Sequence, residues 1–324
     1  MELNKLYNQD CLIGMKALPD KSIDLIVIDP PYNIGKDKRW DKWKTVKAYV
    51  EFMGQVFKEC ERVLKDNGSF YFFHNDFMQI VELQNYINQN TKFIFKQFLT
   101  WDKFNGSKWN QLNAIVYSND NRNYSKQAEY ILYYTFQDET GLTTVMLDTN
   151  NFPTMRGYFK DLQEYIDLGL KQINNKLGHR RAEHSFYWKT TQWDMPTEET
   201  YNELIKVFSI DRWQGYKEYE SLRQEYESLR YTFNNPSVSS VLLHEPIKQN
   251  GHITPKPIPI METLIKTSSN ENDVVLDCFM GSGTTAIACI NTNRNYIGYE
   301  NNEEYYNISQ ERIQKHKAQI QFKL

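Results

Sequence analysis

Four short runs of consecutive apolar residues stand out along the chain, and they lack the apolar–polar alternation of a half-exposed strand. Continuous runs of this length are typical of parallel strands that are buried on both faces. The runs occupy residues 23–28, 69–73, 274–276 and 296–299. We therefore predict four buried strands.

Amphipathic helical stretches separate these strands, at residues 46–64, 258–267 and 284–291. Alternating strands and helices predict an α/β fold with a doubly wound, mostly parallel sheet. The alternation covers residues 1–136 and returns at residues 252–324. We therefore predict one α/β domain in two halves, interrupted by an insertion.

The predicted insertion, residues 137–251, is rich in polar and aromatic side chains and shows no regular strand–helix alternation. It contains a seven-residue repeat, at 218–224 and again at 225–231. The repeat places Tyr219, Leu222, Tyr226 and Leu229 on one face of a helix. Two heptads are too few for a coiled coil, so this face either packs on its own lobe or forms a dimer contact.

Composition excludes several classes of protein. The 324 residues are 40% hydrophobic and 24% charged, which is typical of a folded globular chain. No apolar run approaches the roughly 18 residues that span a bilayer, and the N-terminal residues do not resemble a secretory signal. The four cysteines form no Cys-x-x-Cys pair, so we predict no metal site and a reducing, cytoplasmic compartment.

The sequence Asp-Pro-Pro-Tyr, residues 29–32, directly follows the first predicted strand. Its prolines force the chain out of the sheet at the strand's carboxyl end, where doubly wound folds bind ligands. The Asp29 carboxylate and the Pro30 carbonyl could each accept a hydrogen bond from an amino group, while Tyr32 stacks on the ring that bears it. The alternative is an ordinary turn that ends a strand.

A second turn, rich in glycine, follows the third predicted strand. Gly281 and Gly283 allow the backbone to turn tightly and approach a ligand, and Glu300 follows at the end of the next strand, where it could bind a ribose. Ala286 replaces the third glycine of a dinucleotide fingerprint, and the Gly-Lys-Ser/Thr of a P-loop is absent. The pattern favours an adenosine-bearing cofactor over a turn that serves packing alone.

A net charge of −3 provides no general attraction to nucleic acid, so a nucleic-acid partner requires local basic patches. One candidate is the segment that follows the proline turn, with six basic residues against Asp37 and Asp41. A second lies in the insertion. The candidate DNA-binding residues are Lys36, Lys38, Arg39, Lys42, Lys44, Arg180 and Arg181. Solvated surface charge is the alternative for both patches.

Taken together and in this order, these blocks resemble the permuted β-class of S-adenosylmethionine-dependent DNA amino-methyltransferases. In that family an Asp-Pro-Pro-Tyr block precedes the target-recognition insertion, and a Phe-x-Gly-x-Gly block, here residues 279–283, follows it. The resemblance implies a Rossmann-like methyltransferase fold with an inserted target-recognition lobe. Further matching blocks lie at residues 10–12, 62–68, 101–103, 129–134 and 252–257.

The resemblance implies that Asp29, Pro30 and Tyr32 hold the target base and that Pro31 shapes the turn. Hydrogen bonds from the exocyclic amine to Asp29 and the Pro30 carbonyl would free the nitrogen lone pair, which is electrostatic preorganisation rather than covalent catalysis. The base would be flipped out of the duplex. Asp29 need not act as a general base.

The resemblance also implies the cofactor contacts. Glu300 would bind the ribose, Thr254 and Lys256 would lie near the methionine end, and Asp10 would lie near the adenine, although Asp10 alone is better explained as a helix cap. The cofactor-binding residues expected are Asp10, Cys11, Asp29, Thr254, Lys256, Asp277, Phe279, Gly281, Gly283, Thr284 and Glu300.

An Asp at the first position of the turn is typical of enzymes that methylate adenine N6 in double-stranded DNA. Cytosine-N4 methylation and an amino group in RNA are the alternatives within the same chemistry. A dinucleotide-dependent oxidoreductase is the alternative from another class, although it leaves Asp-Pro-Pro-Tyr unexplained. The sequence is compatible with a companion restriction endonuclease and with a homodimer.

Overall fold

The computed structural model describes residues 2–35, 41–103, 128–136, 153–190, 192–229, 233–234, 237–246 and 255–321. The chain forms two compact units: unit 1 is Met1–Gly141 with Tyr231–Leu324, and unit 2 is Leu142–Arg230. The predicted insertion extends further in the C-terminal direction than unit 2. No helix in the described ranges has both the length and the apolar character required to cross a membrane.

Unit 1 contains an eight-stranded sheet, counted over the described residues, in the order β1-β8-β7-β2-β3-β5-β4-β6. Only β5 is antiparallel to its neighbours, β3 and β4, so the predicted α/β fold with a mostly parallel sheet is confirmed. The strands are β1 Lys5–Asn8, β2 Ile23–Ile28, β3 Leu64–His74, β4 Ile94–Asp102, β5 Ala128–Thr135, β6 Val241–Leu243, β7 Val274–Asp277 and β8 Asn295–Glu300.

The four predicted strands correspond to β2, β3, β7 and β8, and the other four were not predicted. β1 and β6 have only four and three residues, too few to give a pattern. In β4, only Leu99 and Trp101 are buried, so the strand lacks a continuous apolar run. β6 lies within the predicted insertion, yet it pairs with β4 and belongs to the sheet of unit 1.

Helices cover both faces of this sheet. The helices of the described residues are α1 Cys11–Met15, α2 Val46–Val63, α3 Phe77–Asn90, α4 Pro153–Ile166, α5 Leu170–Leu177, α6 Glu198–Phe208, α7 Tyr219–Leu229, α8 Ile258–Ser268, α9 Thr284–Asn291 and α10 Glu303–Gln321. Side chains of a strand alternate between faces. Ile26 and Ile28 therefore pack with α1, α2 and α3, whereas Leu25 and Val27 pack with α8, α9 and α10.

The two sequence motifs meet because of the strand order. β2 and β7 are parallel neighbours, with Leu25 opposite Val275 and Ile26 opposite Leu276. From β2 the chain passes through α2 to β3 on one side, and from β7 it passes through α9 to β8 on the other. Such a switch of direction opens a crevice at the carboxyl ends of the two strands, where ligands bind in doubly wound folds.

Unit 2 is helical in its described residues and has a core of its own, formed by α4, α5, α6 and α7. The predicted helix over the seven-residue repeat is observed as α7. Leu222 of this helix is fully buried, and Tyr219 and Tyr226 pack against the same core. The apolar face therefore packs within its own unit, which agrees with the first of the two alternatives.

Candidate active site

The carboxyl ends of β2 and β7 open into one pocket of about 420 Å³. The proline turn, Asp29–Tyr32, lines one part of it, and the glycine turn after β7 lines another. Most of the predicted cofactor residues line this pocket: Asp10, Cys11, Asp29, Lys256, Asp277, Phe279, Gly281, Thr284 and Glu300. Thr254 lies outside the described residues. Gly283 does not belong to the described lining.

Asp29 holds two strong hydrogen bonds. Its Oδ1 accepts a hydrogen bond from the Tyr32 hydroxyl at 2.6 Å, and its Oδ2 lies 2.7 Å from Nζ of Lys256. The side chain of Asp29 is 20% exposed, whereas that of Lys256 is 6% exposed. The carboxylate therefore faces the pocket while its partners fix it from the protein side.

Lys256 lies between two carboxylates. Its Nζ is 3.1 Å from Oε2 of Glu129 as well as 2.7 Å from Asp29, and Oε1 of Glu129 pairs with Nζ of Lys103 at 2.5 Å. The charges therefore alternate along a chain of four groups, two negative and two positive. Alternation of this kind compensates the cost of burying each charge.

This environment shifts the pKa of each group in a definite direction. Burial by itself would lower the pKa of Lys256, but the carboxylates of Asp29 and Glu129 outweigh it, and the pKa is raised. Burial by itself would raise the pKa of Glu129, but the ammonium groups of Lys256 and Lys103 lower it. Both groups are therefore charged at neutral pH.

The sequence alone assigns no role to Glu129 or Lys103. Lys256, which the family resemblance places near the methionine end of a cofactor, lines the pocket, and its ammonium group pairs with Asp29. Glu129 and Lys103 belong to blocks that match the family, but only the pairing of β5 with β4 brings them together. In the sequence, the only indication of a role for Glu129 is that an acidic residue begins an otherwise aromatic and apolar segment.

A second set of buried groups, not predicted from the sequence, holds the proline turn. The Tyr49 hydroxyl donates a hydrogen bond to the Pro31 carbonyl at 2.8 Å and lies 3.1 Å from Nε2 of His74. The backbone N–H of Asp76 donates to Nδ1 of His74, so the ring proton resides on Nε2 and points to Tyr49. This arrangement fixes the position of the Pro31 carbonyl.

In the segment after the proline turn, one of the two acidic residues counted against the basic ones is buried. Asp41 is buried, and its carboxylate accepts a hydrogen bond from the Asn33 N–H at 2.7 Å, so it stabilises the turn instead of offsetting surface charge. Lys42 and Lys44 are exposed, and Lys42 lines the pocket. The other candidates of this segment, Lys36, Lys38 and Arg39, lie outside the described residues.

The second basic patch is paired with carboxylates of its own unit. Nε of Arg180 lies 2.8 Å from Glu183, and Arg181 lies 2.6 Å from Glu203 and 3.3 Å from Glu199. Exposed ion pairs of this kind contribute little to stability. The pairs reduce the net positive charge that the sequence suggested for this patch.

Glu300, at the end of β8, is hydrogen-bonded to the glycine turn. Its Oε2 accepts a hydrogen bond from the Gly281 N–H at 2.9 Å, and its Oε1 accepts one from the Asn302 N–H at 2.8 Å. Burial raises the pKa of Glu300, and the backbone hydrogen bonds oppose that shift. Each oxygen retains a further lone pair, so a contact to a ribose hydroxyl is compatible with this geometry.

Gly283 serves the turn itself. Its φ of +79° is a left-handed conformation, and it occupies the N-cap position of α9. A Cβ atom at Gly283 would lie 3.1 Å from Cβ of Ser309, which leaves little room for a side chain. Gly283 therefore shapes the loop that lines the pocket, and its predicted place in the cofactor site stays a prediction.

Asp10 acts as a helix cap, as the residue alone suggested. Its Oδ1 accepts hydrogen bonds from the N–H groups of Leu12 at 2.9 Å and Ile13 at 3.3 Å, at the start of α1. Asp10 and its buried neighbour Cys11 also line the pocket. The cap therefore does not exclude a second contact to a bound molecule.

Asp277 lines the pocket and is only 3% exposed. Its carboxylate accepts hydrogen bonds from the Thr285 hydroxyl at 2.5 Å and the Phe279 N–H at 2.9 Å. Burial raises the pKa of Asp277 to about 7, because these hydrogen bonds offset desolvation only in part and the charges of Asp29 and Glu300 add to the shift.

We expect the Asp277 carboxyl to make the free protein less stable as the pH rises from about 4 to about 7. An unfolded Asp loses its proton near pH 3.9, whereas the folded carboxyl retains it up to about pH 7. The unfolded state therefore binds fewer protons throughout this window, and stability falls with pH. Urea denaturation measures the free energy of unfolding at about pH 5 and at about pH 8. Between these two values it should fall less for Asp277→Asn than for the unaltered protein. Equal losses in the two proteins would contradict the raised pKa.

Comparison with known proteins identifies the family. Residues 23–311 match the family model N6_N4_Mtase, described as DNA methylase. The Type II methyltransferase M1.MboII of Moraxella bovis is 27% identical over 317 residues, covering 95% of this chain and 95% of that protein. The DNA adenine methyltransferase YhdJ of Escherichia coli (strain K12) is 26% identical over 324 residues, covering 96% of this chain and 83% of that protein.

A solved structure shows the same fold. PvuII DNA methyltransferase (cytosine-N4-specific) has a TM-score of 0.55 and 14% identity, covering 98% of this chain and 92% of that chain. The family model matches the sequence itself, from β2 into α10, and the match includes both turns of the pocket. The protein belongs to the DNA methylase family of N6 and N4 amino-methyltransferases.

Proposed function

We propose that this protein transfers a methyl group from S-adenosylmethionine to the N6 amino group of adenine in double-stranded DNA. The observation that carries the proposal is the shared pocket, in which the Asp29 carboxylate and the glycine turn lie together. An amine held by the first would lie near a methyl donor held by the second. Membership of the DNA methylase family excludes the oxidoreductase alternative.

The residues of the pocket fit S-adenosylmethionine. That molecule carries a positive sulfonium and a positive ammonium group, and the lining includes the carboxyl groups of Asp10, Asp29, Asp277 and Glu300. Phe279 adds an apolar surface, and Gly281 brings backbone close to the bound molecule. The cofactor supplies a methyl group that is already electrophilic, so the protein needs to activate only the acceptor.

Asp29 activates that acceptor by hydrogen bonding. The exocyclic nitrogen of adenine is a poor nucleophile because its lone pair is delocalised into the ring. A hydrogen bond to Asp29, with another to the Pro30 carbonyl, draws the nitrogen towards tetrahedral geometry and makes the lone pair available. Lys256 and Tyr32 orient the carboxylate in advance, so Asp29 itself does not have to reorient during the reaction.

The target base must leave the duplex to reach this pocket, which costs a few kcal/mol. The Tyr32 ring lines the pocket, and stacking on an aromatic ring contributes about 1–3 kcal/mol per base. Tyr32 thereby offsets much of the cost of flipping. The exposed Lys42 and Lys44 follow the same turn and would contact the DNA backbone.

Unit 2 is proposed as the target-recognition lobe because its chain is inserted between the two motif blocks, as in the family that the sequence resembles. Its described residues form an independent helical core, so its surface can vary without disturbing the sheet. Arg180 and Arg181 would exchange their carboxylate partners for phosphates or base edges. Since the relative M1.MboII is named a Type II methyltransferase, we propose a companion restriction endonuclease as well.

Adenine is favoured over cytosine by the Asp at the first position of the turn and by the adenine-specific relative. Cytosine-N4 is the second candidate, because its exocyclic amine presents the same pair of donors to Asp29. An amine in RNA would present them too, but it would not need the base flipping that Tyr32 supports.

We expect DNA from a host that expresses this protein to carry N6-methyladenine within one short sequence. The host should have no other DNA methyltransferase. Sequencing that detects each modified base then identifies both the methylated base and the DNA sequence around it. The same host with Asp29→Asn is the control and should show unmodified DNA. N4-methylcytosine would select the second candidate, and unmodified DNA with a folded, S-adenosylmethionine-binding protein would contradict the proposal.

A further inference from the structure

Each oxygen of Asp29 already accepts one strong hydrogen bond before any substrate arrives. Oδ1 accepts the Tyr32 hydroxyl at 2.6 Å, and Oδ2 accepts Lys256 at 2.7 Å. The proposed function, on which this inference rests, requires the same carboxylate to accept a hydrogen bond from the substrate amine. Each oxygen retains a second lone pair, but all donors share the charge of one carboxylate, so Asp29 accepts the amine more strongly when one of the present donors withdraws.

A second carboxylate lies within reach of both donors. Oε2 of Glu129 is 3.3 Å from the Tyr32 hydroxyl and 3.1 Å from Nζ of Lys256. Glu129 is 2% exposed and does not belong to the described lining of the pocket, so it would not touch the substrate. Its position suits a group that acts through Tyr32 and Lys256.

We propose that Glu129 is a positioning residue that takes over the Tyr32 hydroxyl hydrogen bond when the substrate amine binds Asp29. A hydroxyl has one proton and can donate fully to only one acceptor. A small rotation would lengthen its bond to Oδ1 of Asp29 and shorten its bond to Oε2 of Glu129. No covalent bond changes, and the hydroxyl keeps a charged acceptor throughout.

Lys103 keeps Glu129 ready for this exchange. Its Nζ holds Oε1 of Glu129 at 2.5 Å, which leaves Oε2 facing Tyr32 and Lys256. Together with Lys256 it also lowers the pKa of Glu129, so the acceptor is ionised at neutral pH. Hydrogen bonds to an ionised acceptor are about twice as strong as neutral ones. The charge of Glu129 therefore allows the hydroxyl to move from Asp29 at little cost.

The test is a double-mutant cycle between Glu129→Gln and Tyr32→Phe. In the unaltered background, Glu129→Gln should lower kcat about tenfold, because the hydroxyl now remains on Asp29 and competes with the amine. In the Tyr32→Phe background no hydroxyl competes, and the same change should lower kcat by about twofold or less. An equal loss in both backgrounds overturns the proposal, because a merely structural role of Glu129 does not depend on the hydroxyl.

The Glu129→Gln change also leaves the buried Lys256 and the partly buried Lys103 with one carboxylate, that of Asp29, which can weaken the fold. The variant Glu129→Gln/Lys103→Met restores the charge balance, so it should recover the melting temperature while kcat stays low. Recovery of kcat together with stability also overturns the proposal. Asp24→Asn, which removes a carboxylate paired with Lys65 at the other end of β2, is the control and should leave kcat unchanged.

The outcomes separate this inference from the proposed function. If the unaltered protein methylates no adenine, the proposed function fails before the cycle is reached. If it methylates adenine and the cycle shows no coupling, only the role of Glu129 fails. In the Glu129→Gln variant the Kd for S-adenosylmethionine, measured by calorimetry, should stay within about twofold, since Glu129 lies outside the described pocket lining.

Discussion

Replacing Asp29 with Asn should lower the rate of methyl transfer by about 100-fold to 1000-fold while the protein stays folded. Removal of one preorganised polar group from an active site has effects of this size. The Asn side chain keeps the shape of Asp29, but it lacks the negative charge that accepts the amine. Its NH2 group is a hydrogen-bond donor, and it would face another donor, either Lys256 or the substrate amine. Lys256 retains Glu129 as a charged partner, so the fold should survive.

Single-turnover methyl transfer to DNA measures this loss, and calorimetry with S-adenosylmethionine measures cofactor binding separately. The matched control is Asp24→Asn, because Asp24 is an ion-paired carboxylate near the start of β2, whereas Asp29 directly follows the end of that strand. It should leave the rate unchanged. A folded Asp29→Asn variant with nearly full activity would remove Asp29 from the mechanism.

Replacing Lys256 with Met should produce the largest loss of stability, about 3–5 kcal/mol, because it leaves the buried Glu129 and the partly buried Asp29 without their shared partner. Glu129 would retain Lys103, but Asp29 would retain only the Tyr32 hydroxyl. The two carboxylates would also repel each other. Activity should fall with stability, because Asp29 loses the group that fixes its orientation.

Urea denaturation measures the stability change for Lys256→Met directly. The matched control is Lys266→Met on α8, where the side chain is 58% exposed and Nζ lies 3.8 Å from Glu262. An exposed pair of this kind contributes at most about 1 kcal/mol. If the two variants lose the same small amount, the buried charge chain is not a stabilising feature of this protein.

Features that depend on neighbouring residues could be predicted from the sequence. The apolar run of β2 and the two prolines after it place Asp29 at a strand end whatever the rest of the chain does. The glycine turn before α9 follows in the same way, since Gly281 and Gly283 adopt positive φ angles that favour glycine. These are local restrictions on the backbone.

The groups that surround Asp29 could not be predicted in this way. Tyr32 and Glu129 are 97 residues apart in the chain, and they meet because β5 is inserted between β3 and β4. Lys256 precedes α8, on the far side of the insertion. Nothing in the local sequence of these residues specifies which strands become neighbours.

Charge was the least predictable property. Asp41 looked like surface charge within a basic segment, yet it is buried and holds the backbone of Asn33. Arg181 looked like a free cation, yet it pairs with two glutamates of α6. The role of a charged side chain depends on which partner lies within a few ångströms, and sequence spacing determines that only within one helix.

The amino-acid sequence alone determined that this protein has an α/β fold, that an acidic proline turn and a glycine turn end two of its strands, and which family it resembles. Hydrophobic periodicity and the restricted backbones of proline and glycine act locally, so they can be recognised without coordinates. The tertiary structure decided that the two turns share a pocket and that Lys256, Glu129 and Lys103 surround Asp29. Those contacts follow from the order of strands in the sheet, which brings residues together across long separations in the chain.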